Sequence, residues 1–101
     1  MKYTKLISDL DVLWDDDGFL GRLRDGFYER SEGLQFLNFL RSISLSEDEE
    51  VPMRLVSLLW YIPSFVGWQH DRVAEHGGDT AAFTRFVTEV HNAMETVLGV
   101  P

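Results

Sequence analysis

The run at positions 51–68, Val-Pro-Met-Arg-Leu-Val-Ser-Leu-Leu-Trp-Tyr-Ile-Pro-Ser-Phe-Val-Gly-Trp, constrains the fold more than any other stretch. Its apolar residues occupy nearly every side of a helical wheel, the pattern of a helix covered by neighbours on most faces. It is barely long enough to cross a bilayer. Pro52, Arg54, Pro63 and two serines interrupt it, so the expectation is a central core helix and not a membrane span. Pro63 removes an amide donor and crowds the preceding turn. The helix should therefore kink or divide there, into segments 52–62 and 64–76.

The flanking sequence has helical periodicity throughout. In 3–14, Leu6, Ile7, Leu10, Leu13 and Trp14 recur at spacings of three and four. Asp15-Asp16-Asp17-Gly18 breaks that helix, and Asp17 is a candidate cap for the next. Segment 18–28 places Phe19, Leu20, Leu23, Phe27 and Tyr28 on one side. Its glycines, Gly18, Gly21 and Gly26, each weaken a helix interior by up to about 1 kcal/mol unless they permit close packing. Ser31 is a plausible cap for a third helix with a broad face of Leu34, Phe36, Leu37, Phe39, Leu40 and Ile43. Two signals compete for the start of the fourth: Ser46 and Glu49 at capping-box spacing, and Pro52 suited to a first turn. Trp60 is expected in the core. Gly77-Gly78 should end whatever follows Pro63. Asp79 should cap a last helix running to about Leu98, with a stripe of Phe83, Phe86, Val87, Val90, Met94, Val97 and Leu98. Strand alternation bounded by hairpin turns is absent. The sequence predicts an all-α fold: one domain over 1–101, a compact bundle of five or six helices, the central one kinked or broken at Pro63.

Composition narrows the function. Cysteine is missing, which removes disulfides and thiolate metal sites. Seventeen acids against nine bases give a net charge of −8, and twelve of the seventeen lie in the first fifty residues. That balance disfavours nucleic acid and anionic membrane and favours basic partners. The first ten residues do not read as a signal peptide, because the apolar stretch is short and Asp9 interrupts it. A cytoplasmic location is expected.

No constellation carries catalysis. Asp15, Asp17 and Gly18 do not supply the calcium-loop spacing, and the twelfth position counted from Asp15 is Gly26 instead of glutamate. His70 and His76 are six apart, outside the spacing of a helical zinc pair. Nucleophile elbows, phosphate-cradling glycine loops and dinucleotide fingerprints are all missing. The expectation is a binding protein, not an enzyme, with no cofactor and no metal.

Binding residues are sought where charge and aromatic surface concentrate. Asp15, Asp16 and Asp17 form one acidic cluster, and Glu47, Asp48, Glu49 and Glu50 form another. The second adjoins a helix start, where acids complement the dipole, but four consecutive acids repel one another and are eased by a cationic partner. Tyr61 and Trp68 are seven apart and share a helix face if Pro63 leaves the phase intact. A partly exposed aromatic pair of this kind is a hot spot for a protein partner. Gln69, His70, Asp71 and Arg72 are expected as its polar rim.

The stretch Ser57-Leu-Leu-Trp-Tyr-Ile-Pro-Ser-Phe-Val-Gly-Trp-Gln69, with Arg72-Val73, Gly77-Gly78-Asp79 and the closing Val97-Leu98-Gly99-Val100-Pro101, resembles bacterial immunity proteins. These are small acidic inhibitors encoded beside polymorphic toxins, including those of contact-dependent growth inhibition systems. The resemblance covers about the C-terminal half. It implies a protein that binds its cognate toxin, often a basic nuclease, and neutralises it by stoichiometric occlusion, as a monomer or 1:1 heterocomplex. The other expectation is a small acidic adaptor or regulatory bundle that binds another bacterial protein, or a ligand between its helices.

Overall fold

The computed structural model describes residues 2–46 and 48–101. Among them it is all-helical: α1 (Thr4–Trp14), α2 (Phe19–Arg24), α3 (Arg30–Arg41), α4 (Met53–Trp60), α5 (Ile62–Trp68), α6 (His70–Glu75) and α7 (Thr80–Leu98). The long α7 is the spine, against which α3, α5 and α6 all pack. A second layer has α1 against α2 and α4, and α2 links it to α3. No helix among the described residues is long and apolar enough to cross a membrane.

The local chemistry of α7 agrees with its sequence signals. The Asp79 carboxylate accepts from the Ala82 amide at 3.0 Å, and Gly99 ends the helix at a positive φ of 82°. Asp79→Ala is expected to cost about 1 kcal/mol through loss of this cap, read as a lower urea midpoint at unchanged slope.

Other starts differ from the sequence expectation. α4 begins at Met53 behind Pro52, so the proline signal prevails; Ser46 instead closes a turn, accepting from the Asp48 amide through its hydroxyl and from the Glu49 amide through its carbonyl. Gly18, not Asp17, precedes α2, and no side chain caps that helix. Ser31 lies inside α3 and donates its hydroxyl to the Glu29 carboxylate. α2 ends at Arg24 because Gly26 turns the chain at a φ of 91°. Phe27 therefore leaves the expected stripe, is exposed, and rests against the His76 ring at 4.8 Å. Leu34 is also exposed, so the buried face of α3 narrows to Gly33, Phe36, Leu37 and Leu40.

The run 51–68 is broken more thoroughly than expected. The first break falls at Tyr61, two residues before Pro63, which then occupies the first turn of α5, where no amide is owed to the preceding turn. The second falls at Gln69. There the backbone amide bonds Val66 O at 3.2 Å, and the side-chain amide donates to Phe65 O at 3.0 Å, satisfying the carbonyl that a continuing helix would have bonded. Gln69 is thus buried, 6% exposed, and not part of a polar rim. The inner sides of α4 and α5 bury Leu55, Leu58, Leu59, Ile62, Phe65 and Val66, while Met53, Trp60 and Trp68 stand outside. Breaking the helix lets an almost uniformly apolar run present one wet side.

Candidate interaction surface

Four aromatic residues converge where α1 ends and α4 turns into α5. Trp14 closes α1, Trp60 closes α4, Tyr61 is the junction, and Trp68 closes α5. Tyr61 is the hub: its ring centroid lies 5.5 Å from Trp60, 5.6 Å from Trp68 and 6.2 Å from Trp14, the first two edge-to-face. Trp14 is anchored by its indole N–H, which donates to Leu58 O at 3.0 Å, and by an edge contact with Phe65 at 4.8 Å. Exposure separates the roles. Trp60 and Trp68 are 58% and 65% exposed, while Tyr61 and Trp14 are half-buried. Trp60 is therefore not a core residue; the break at Tyr61 turns it outward.

Charge borders this surface on the α1 side. Asp15 and Asp11 line the same open hollow of about 450 Å³ as Trp14, Trp60 and Tyr61. Asp11 pairs with Arg54 at 2.5 Å, and the Arg24 guanidinium sits 5.5 Å from the centroid of the Phe65 ring. Asp15 makes no ion pair among the described residues.

The two acidic clusters are not brought together. α1 has 11 residues, so its ends are ~16 Å apart. Asp15, Asp16 and Asp17 are exposed at its C-terminal end; Asp15 lines the hollow beside Trp14 and Trp60, whereas Asp17 lines a separate hollow with Arg22 and Glu32. The second cluster lies at its N-terminal end; Glu47 falls outside the described residues, and Asp48, Glu49 and Glu50 are exposed. Glu49 is held there by Lys2 at 2.5 and 2.6 Å and by the Tyr3 hydroxyl at 3.2 Å. The Lys2 ammonium pulls the Glu49 carboxyl below the usual glutamate range, and the carboxylate in turn raises Lys2. His70 and Asp71 are exposed on α6, 3.7 Å apart at their nearest ring nitrogen and carboxylate oxygen. The His70 ring has Phe83 of α7 as its aromatic neighbour, at 6.3 Å.

The predicted site residues thus do not form one patch: Asp15, Tyr61 and Trp68 share one surface, Asp16 and Asp17 follow Asp15 in the exposed turn, Asp48, Glu49 and Glu50 lie at the other end of α1, and His70 and Asp71 are on α6. Sequence reasoning missed Trp14, Trp60 and Asp11. No local signal marked Trp60 as exposed, because its direction is set by the break at Tyr61. Among the described residues, no three histidine, aspartate or glutamate side chains are grouped to hold a metal ion. Compared with protein-family models, curated proteins and solved structures, the chain matches none.

Proposed function

We propose that this chain is an immunity protein that neutralises a basic toxin domain, a nuclease by its charge class, through one-to-one occlusion in the cytoplasm of the producing cell. The observation that carries the reading is the cluster of exposed Trp60 and Trp68 around Tyr61, bordered by Asp15, which has no ion pair among the described residues, on a chain of net charge −8. Exposed tryptophans packed on a half-buried tyrosine are the composition of binding hot spots, and a net charge of −8 accelerates encounter with a basic partner. The resemblance of 57–69 to immunity proteins supplies the class, and the same stretch builds the aromatic surface. The chain acts by binding and not by catalysis.

Capture from the native cell, read by mass spectrometry, tests this reading. The expected prey is a basic toxin domain at one copy per chain. Surface-plasmon kinetics against it should then separate the contributions. Asp15, Asp16 and Asp17 changed to asparagine should slow association and flatten its salt dependence. Glutamine at Glu49 and Glu50 should do so less, because Glu49 is already neutralised by Lys2. Tyr61→Ala with Trp68→Ala should speed dissociation by about 30-fold or more, the effect of losing roughly 2 kcal/mol of anchoring. Normal dissociation from the double variant would place the interface elsewhere. Failure to retain any basic toxin would end the immunity reading.

A further inference from the structure

Most bases of this chain are engaged. Of nine, five are in ion pairs with acids, Arg72 donates to the Arg24 carbonyl, and Arg24 lies over the Phe65 ring. Arg30 and Arg85 remain. Among the described residues neither makes an ion pair, a hydrogen bond or a ring contact. They stand on different helices, at the start of α3 and in the second turn of α7, yet they line one hollow of about 340 Å³. Leu37 and Phe86 give it a buried apolar lining, and Leu34, which also lines it, is 56% exposed. Tyr28 adds a half-buried hydroxyl on which both guanidiniums bear; burial, the largest influence, raises its phenol above the usual range. Two acids act on the same hydroxyl, and both are committed: Glu89 to Arg41 at 3.3 Å and Asp79 to the Ala82 amide at 3.0 Å.

We propose that this hollow binds a small amphipathic carboxylate, its charged end held by Arg30 and Arg85 and its aromatic or branched body over Leu34, Leu37 and Phe86. The uncommitted polar groups are donors, so they call for an acceptor, and the guanidinium fork matches a planar carboxylate bidentately. The volume lies at the low end of small-molecule pockets, which suits a body of one ring and not a helix of a partner. At physiological salt, exposed charges more than about 8 Å away are largely screened, so two local cations can attract an anion to a chain of −8. The hollow shares no residue with the one beside the tryptophans, so the inference stands whether or not the protein partner is a toxin.

Phenylpropionate and isocaproate, titrated into isotope-labelled full-length protein, are the probes. Each is expected to shift the amides of Tyr28, Leu34 and Arg85 saturably by about 10 mM, the range open to a ligand of so few atoms. Uncharged phenylpropionamide, acetate and inorganic phosphate should each bind at least about tenfold more weakly than phenylpropionate, the first for want of charge and the others for want of an apolar body. Arg30→Gln with Arg85→Gln, both at exposed positions, should leave the helical spectrum intact and weaken phenylpropionate binding by about tenfold or more. Leu34→Asn should weaken it by about threefold. Equal binding of the amide would make the arginines irrelevant and overturn the proposal. Equal binding of acetate or phosphate would reduce it to bare anion attraction and overturn it too. So would undiminished binding by the folded arginine variant, or the absence of saturable shifts with both carboxylates.

Discussion

Gly21→Ala is expected to lower the unfolding free energy by about 3 kcal/mol or more, at the upper end of what overpacking costs. A Cβ built on Gly21 would lie 1.9 Å from the Asp15 carbonyl oxygen and 2.8 Å from the Asp16 Cα. These are backbone atoms, so no side chain can swing aside. α2 must lift from the end of α1, taking with it Leu20 and Leu23, both fully buried. In a free helix the same change would stabilise by up to about 1 kcal/mol, because alanine is the better helix former. Gly67→Ala in α5 supplies the control: its Cβ would meet only a Val87 methyl, at 4.0 Å. Urea unfolding of both variants decides the matter. A Gly21→Ala protein as stable as the parent would mean that α2 is not seated this closely.

Phe83→Ala is expected to cost about 3–5 kcal/mol, a large fraction of the roughly 5–15 kcal/mol that holds an ordinary domain folded. Phe83 is 0% exposed on the spine helix, with Tyr28 edge-on at 5.0 Å and Phe86 at 5.9 Å. Truncation opens a cavity bordered by α6, α7 and the α2–α3 connection, so it cannot collapse onto one mobile neighbour. Trp60→Ala removes a larger ring yet should change stability by less than about 1 kcal/mol, because more than half of it already faces water. Thermal melts of the two variants side by side therefore distinguish an aromatic that holds the fold from one that is free to bind.

Features set by neighbours in sequence were the readable ones. The bounds of α7 follow from an aspartate cap, a stripe of period 3.6 and a terminal glycine, all local signals, and the helix forms as those signals say. The all-α class was legible for the same reason. Phe27, Leu34 and Trp60 went astray because each sits beside a turn or rim whose direction is decided by tertiary contact. Gln69 is the sharper case. A glutamine among charged residues reads as surface, and only the second helix break gives its amide a backbone carbonyl to bond from inside the core. At the candidate surface, the seven-residue spacing correctly joined Tyr61 to Trp68. It did so for an incomplete reason: the helix is broken at Tyr61, and the rings meet edge-to-face across α5 instead of along one straight helix.

All three tryptophans of the chain, Trp14, Trp60 and Trp68, are gathered around Tyr61, and none belongs to the spine around α7. The protein consequently carries an intrinsic optical reporter at one address. Its near-ultraviolet emission describes the polarity of that single surface, while the phenylalanine-rich interior of α3 and α7 is almost silent at the same wavelengths. Spectral colour and overall foldedness are thereby reported by different parts of the molecule, and a label-free titration can watch one without being confused by the other.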